Sequence, residues 1–304
     1  MDTIAVQQDV PQNPVTEGPV PERASSGRSA VRRTVALLSP TAVAAGAVLI
    51  LLILVAAFPG VFTSASPIAT DPVNALLPPS AAHWFGTDEL GRDLFTRVVY
   101  GARPSLLIGL GATVLSVLGG AVVGVAAALG GRAADQVLMR LADITLSLPQ
   151  LMLALLVITV LGPGTVNTML AIAIAFVPGY ARIVRAEALV VRRSGYVEAA
   201  VGLGQRRSLL IVRHVLPNAL GPLLVLATVG FGTAIISASG LSFLGLGPQP
   251  PSPEWGAMLS DGRDYLSTAW WLGLFPGVAI TFTVIAVNLI GRRAQARFTR
   301  RTAL

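Results

Sequence analysis

The chain of 304 residues contains no cysteine and only two histidines. Disulfides and thiolate metal sites are therefore excluded, and His83 and His214 lie too far apart in sequence to suggest a shared site. Charged residues make up only 12% of the chain, against roughly a quarter in an ordinary soluble protein. All 22 basic residues are arginine. Without lysine the phosphate-binding loop G-x-x-x-x-G-K-[ST] cannot be formed, which excludes a self-contained ATPase of that kind. What remains is apolar, with 53% hydrophobic residues and a mean hydropathy of +0.71. Such a chain belongs in a bilayer. Its net charge of +7 is concentrated between apolar runs, where it sets topology rather than marking nucleic-acid binding.

Residues 1–34 are rich in Pro, Ser, Gln and Arg with no apolar period, which predicts a disordered cytoplasmic tail. Arg28, Arg32 and Arg33 then precede an apolar run from Val35 to Phe58, with Ser39-Pro40 placed like an N-cap and a first-turn proline. A signal peptide carries an apolar stretch of roughly 7–15 residues; this run is longer and reads as a retained first span, 35–58. Further spans are expected at about 104–129, 137–161, 167–189, 216–240 and 269–291, each near the roughly 20 residues that cross the hydrocarbon core. Because no water satisfies backbone groups there, and no barrel-like alternation is present, all six should be helices. The fourth has an uncharged run only from Thr165 to Ala181, so its helix is expected to continue past the membrane surface through Arg182 and Arg185. The expected fold is an all-α polytopic membrane domain over 35–291, ending in a basic cytoplasmic tail, 292–304.

Arginine placement predicts the orientation. With the N-terminus inside, the cytoplasmic pieces hold Arg23 to Arg33, Arg132 and Arg140, Arg182 to Arg213, and Arg292 to Arg301. The outside keeps Arg92, Arg97, Arg103 and Arg263. Both termini are then cytoplasmic.

One cytoplasmic segment, "YVEAAVGLGQRRSLLIVRHVLPN" (196–218), is a polar island between oily stretches. It reads as two short helical pieces, 196–203 and about 207–215, separated at Gly204, where glycine allows a sharp turn. Pro217 suits the first turn of the next span. Charge and composition alone also fit an ordinary basic loop. The spacing Glu198-Ala199-Ala200, three residues, Gly204, nine residues, His214-Val215-Leu216-Pro217 resembles the EAA loop of permease subunits in binding-protein-dependent ABC importers. Four further stretches agree: "FGTDELGRDLFTRVVYGARPSL" (85–106), "MRLADITLSLPQLMLALL" (139–156), "PGYARIVRAEAL" (178–189) and "LSFLGLGPQPPSPEWGAMLSDGRDYL" (241–266). Over roughly residues 35 to 291 the chain resembles the dipeptide/oligopeptide/nickel permease family, specifically its C-type second permease subunit.

The resemblance implies a type I ABC importer transmembrane domain with no catalytic residue and no metal site of its own. ATP and Mg would be bound by two partner ATPase domains. A second homologous permease would complete the pathway, and an extracytoplasmic substrate-binding protein would deliver the solute at the bacterial cytoplasmic membrane. Glu198, Ala199, Ala200, Gly204, Arg207, His214 and Pro217 would form the ATPase-coupling loop, 196–217. The cargo would be a dipeptide or oligopeptide, with nickel or another small solute as the alternative. A self-contained secondary transporter would need coupling-ion ligands or mid-membrane acids, which are not evident. Two departures stand out: Ala238 where many members carry glutamate, and Arg292-Arg293 where an acidic residue is usual.

In "GTDELGRD", Asp88, Arg92 and Asp93 fit salt bridging that fixes an outer loop, or part of a surface receiving the binding protein. Acid–base catalysis does not suit such a place. "PQPPSPEWGAML" is stiffened by prolines, and Trp255, Trp270 and Trp271 match interfacial anchors or docking residues. Arg140 and Asp143 at the inner end of the third span fit local pairing as well as an ion path. Pro149-Gln150 and Pro178-Gly179 can bend their helices.

Overall fold

A computed structural model describes residues 40–195, 197, 202, 204–205 and 216–302. These residues form helices α1 (Pro40–Ala57), α2 (Leu94–Leu129), α3 (Arg132–Leu146), α4 (Gln150–Leu161), α5 (Thr165–Arg192), α6 (Leu216–Phe243), α7 (Trp255–Gly262) and α8 (Trp271–Thr302), with short turns at Pro59–Phe62, Pro72–Asn74 and Arg263–Tyr265. Among the described residues the extended structure is an isolated bridge between Thr87 and Asp93. Five helices are long and apolar enough to cross a membrane: α1, α2, α5, α6 over Leu226–Phe243, and α8 over Trp271–Arg293. The pair α3 and α4 makes a sixth crossing when counted as one bent span.

Three boundaries differ from the sequence reading, each for a physical reason. The second crossing starts at Leu94, ten residues before the expected 104, because Asp93 caps the helix: its carboxylate accepts the Thr96 backbone N–H at 2.8 Å. Arg97 then sits inside α2, neutralised by Asp88, and Pro104 is accommodated within the helix. The third crossing, expected as one helix at 137–161, is corrected to two helices meeting at 96°. The α3 helix ends at Ser147, whose N–H bonds back to Asp143 O at 3.0 Å, and Pro149 cannot continue the ladder. Finally, residues expected as a separate tail from Arg292 continue α8 to Thr302. The expected tail at 1–34 lies outside the described residues.

The α2 helix runs the length of the domain and belongs to three apolar clusters. Near its start, Leu94 and Ala102 pack with Trp255, Met258, Trp271 and Leu272. Its middle, including Ile108 and Ala112, packs with α4, α5 and α6 through residues such as Ile158, Ile172 and Leu223. At its end, Ala128 and Leu129 pack with Ala188 and Val197. Ala238, the first departure from the family pattern, lies buried in the middle cluster.

Between α2 and α5 the approach is set by glycine. A Cβ at Gly120 would stand 2.4 Å from the Tyr180 Cβ, and one at Gly124 would stand 2.5 Å from the Ala181 carbonyl oxygen. In lipid, where exposed tails are as apolar as leucine, helices associate through such close packing. Replacing Gly124 with leucine should force α2 and α5 apart and destabilise the domain by about 1–3 kcal/mol or more. The check is a lowered thermal midpoint of the detergent-solubilised protein, with Ala126→Leu, two residues on and exposed, changing it less.

Candidate functional site

The polar features collect at the two ends of the bundle. At the end where α5 stops, the chain leaves the helix through a bonded turn. Ser194 N–H donates to Val191 O at 3.0 Å, Val197 N–H to Ser194 O at 3.0 Å, and the Arg192 guanidinium to Ala128 O at 3.2 Å. Val197 is then buried against Ala128, Leu129 and Ala188. Val197 is thus seated on both α2 and α5. Gly204 is exposed, with φ +74 and no atom within 4 Å of a would-be Cβ. Its glycine is required by the left-handed backbone, not by crowding. Pro217 is the second residue of α6. Glu198, Ala199, Ala200, Arg207 and His214 lie outside the described residues.

Beside this seat, α3 is tied to α5 by two ion pairs that the sequence does not reveal. Arg185 grips Asp135 with both Nε and Nη2, the latter at 2.6 Å from Oδ2, and Arg182 pairs with Asp143. Asp143 therefore has a local partner. Arg140 is exposed.

The opposite end is a compact polar cap. Asp88 is buried and shared: its Oδ2 accepts from Arg92 Nε at 2.6 Å and lies 3.3 Å from Arg97 Nε, while Oδ1 accepts from the Leu90 and Arg92 backbone N–H groups at 2.9 Å each. Arg92 also donates to Glu89 at 2.9 Å. Burial pushes the Glu89 carboxyl above its ordinary 4.5, against the opposing pull of its backbone hydrogen bond and Arg92. Asp93 joins the cap to α2, bonding His83 Nδ1 through one oxygen and Thr96 through the other.

Trp255 is only 1% exposed and its indole N–H donates to Val98 O at 2.9 Å. The anchoring role expected of Trp255 and Trp271 is corrected: both are buried, because the short helix α7 folds onto α2 and α8. Trp270 is exposed at 54%. The residue that sequence reasoning missed is Glu254, 0% exposed, whose carboxylate accepts from Ser105 Oγ at 3.1 Å and from the Gly256 and Ala257 N–H groups at 3.0 and 2.9 Å. It caps α7 and ties it to α2. Glutamate is not a preferred N-cap, so only its place after Pro251-Ser252-Pro253 hinted at a helix start. What the cap exposes is different: Trp84, 65% exposed, beside a cavity of about 500 Å³ lined by Phe62, His83, Asp93 and Thr96.

A helical domain of membrane-crossing length, capped at one end, defines a multi-pass membrane component. The chain belongs to the family of binding-protein-dependent transport system inner membrane components, whose sequence profile matches residues 120–304. It is a permease subunit of the inner membrane. Among its relatives, the dipeptide transport system permease protein DppC of Alkalihalophilus pseudofirmus is 46% identical over 239 residues, 79% of each chain. The probable D,D-dipeptide transport system permease protein DdpC of Escherichia coli is 46% identical over 254 residues, covering 83% of this chain and 85% of that one. An inward-facing structure of the MetNI methionine ABC transporter superimposes with a TM-score of 0.55 at 19% identity, over 67% of this chain and 97% of that one. That likeness shows a shared fold.

Two substitutions test the cap. Glu254→Ala removes the α7 cap and leaves Ser105 and two N–H groups without their acceptor, which should cost about 1–2 kcal/mol and lower the thermal midpoint. For Glu89, a raised folded pKa means stability is greatest below 4.5 and is lost as pH rises through the raised value. The thermal midpoint of the native protein should therefore fall, relative to Glu89→Gln, between pH 4.5 and neutrality. Parallel curves would refute the burial effect.

Proposed function

We propose that this chain is one of two permease halves of an ATP-driven importer of dipeptides or oligopeptides, with both termini and the 196–217 loop in the cytoplasm. A second homologous permease completes the pathway, two ATPase domains bind ATP and Mg, and an extracytoplasmic binding protein delivers the peptide to the capped end. The observation that carries the reading is the seated loop. Val197 is packed on α2 and α5, Gly204 has a φ of +74, a conformation few other residues adopt, and α6 leaves from Leu216. A force applied to this loop acts directly on two crossings.

Other observations support the orientation and the partners. Arg132, Arg140, Arg182, Arg185, Arg192, Arg193, Arg292 and Arg293 fall at the loop end, against Arg92, Arg97, Arg103 and Arg263 at the cap; this bias favours a cytoplasmic loop. Asp88, Arg92, Asp93 and Trp255 act inside the cap as its framework, while Trp84 and its neighbouring cavity face outward where a binding protein would dock. The peptide cargo follows from the relatives named for dipeptide transport.

Gly204→Val forces a branched side chain into the left-handed region, at about 1–2 kcal/mol of strain, and Glu198→Lys reverses the charge offered to the ATPase. Each should cut uptake of a labelled dipeptide about tenfold, the change equivalent to 1.4 kcal/mol, while permease levels in the membrane stay the same. Native uptake by both variants rejects coupling through this loop. Labelling of a cysteine at position 207 from outside intact cells rejects the orientation.

A further inference from the structure

The loop end of α5 carries a second attachment. Arg182 and Arg185, one turn apart on α5, reach two acids on α3: Arg185 holds both oxygens of Asp135, and Arg182 donates to Asp143. The acids are eight residues apart, about 12 Å of helix, and the arginines three residues apart, about 4.5 Å. Two pairs with such unequal spacings hold α3 obliquely across α5. Sliding or rotating one helix on the other must break at least one pair.

Apolar packing holds α3 only in part: of its fifteen residues Ala142 is buried, Ala134, Leu138, Met139 and Leu146 are half-buried, and Val137, Leu141 and Ile144 are exposed. The ion pairs add a directional tie to α5 that this packing does not supply. At its far end, only Ser147, Leu148 and Pro149 separate it from α4, which turns away by 96°. The α4 helix is held in the middle cluster through Leu153, Ala154 and Ile158. Any shift of the inner end of α5 is thus delivered to α3 through the pairs and absorbed at residues 147–149, because α4 is packed in place.

We infer that Asp135, Asp143, Arg182 and Arg185 are positioning residues for transport: they carry movement of the 196–217 loop to the break in the third crossing and set the angle between α3 and α4. The inference rests on the reading of that loop as the part engaged by the ATPase. Arg185–Asp135 is the main link, since a bidentate pair fixes orientation as well as distance. Arg182–Asp143, more exposed on both sides, is the secondary one.

The absence of cysteine makes the test direct. Spin labels at Leu141→Cys on α3 and Met152→Cys on α4, both exposed positions, report the angle at the break in the complete importer complex reconstituted in vesicles. The label separation should change between the nucleotide-free and ATP-trapped states. In Asp135→Arg or Arg185→Asp that change should disappear and peptide imported per ATP hydrolysed should fall about tenfold, with the ATPase still bound. The double swap D135R/R185D, and the conservative Asp135→Glu, should restore both. Where a charge reversal prevents assembly, Asp135→Asn is the variant read, with the same loss expected. A nucleotide-dependent separation that persists in the broken-pair variants, or a folded swap that restores neither readout, overturns the linkage. Failure of a cysteine at position 204 to cross-link to the ATPase in the native complex rejects the coupling reading itself, which separates the two outcomes.

Discussion

The close contact between α2 and α5 is the constraint on which the rest of the domain depends. At Gly120 and Gly124 the backbone of α5 comes so near α2 that a methyl group would meet Tyr180 and the Ala181 carbonyl. Hydrocarbon tails offer no hydrophobic gain to helix pairing, so this approach, multiplied over many dispersion contacts, is what holds the bundle. Because α2 reaches from the cap to the loop seat, the same contact sets the distance between the two ends. Val197, packed on Ala128 and Ala188, is therefore seated on this close-packed pair.

The charges at the two ends are arranged differently. In the cap, Asp88, Arg92 and Arg97 are nearly inaccessible, and Asp88 accepts from the Arg92 guanidinium and two backbone N–H groups and pairs with Arg97. Removing one partner from such a buried set leaves a charge without compensation, so the arrangement resists change. At the loop end, Asp135 and Arg185 are about a third exposed and Asp143 and Arg182 about half exposed. Water reaches these pairs, so their strength rests on geometry, which is better for the bidentate Arg185–Asp135 pair than for Arg182–Asp143.

Much of this was legible in the amino-acid sequence. Length and apolarity marked the crossings, since roughly twenty residues without charge have few other uses. The failures were at places where charges are neutralised by residues far off in sequence. Arg97 read as lying outside the second crossing, with Arg92 and Arg103; Asp88, nine residues earlier, pairs with it only once the cap has folded. Trp255 read as an interfacial anchor because tryptophan is common there, whereas its indole N–H is satisfied 157 residues away by Val98. The Asp135–Arg185 pair, 50 residues apart, carried no local signal at all.

The bent third crossing follows from the same physics. A straight helix over 137–161 would draw Arg140 and Asp143 toward the hydrocarbon core, where each charge costs about 2.5–3.5 kcal/mol even on the more lenient scales. Breaking the ladder at Ser147–Pro149 leaves Gln150–Leu161 uncharged, with Thr159, its hydroxyl bonded to Leu155 O, as the polar residue after the first, and turns the charged part aside, where Asp143 and Asp135 find arginines on α5. Twelve residues of α4 cover only about 18 Å, short of the roughly 30 Å of hydrocarbon. The remaining depth must be filled by the turned-away α3 and its neighbours. The break is thus the condition under which this sequence can place both an apolar rod and a charged arm in one crossing, and it leaves the arm held by α5 instead of by lipid.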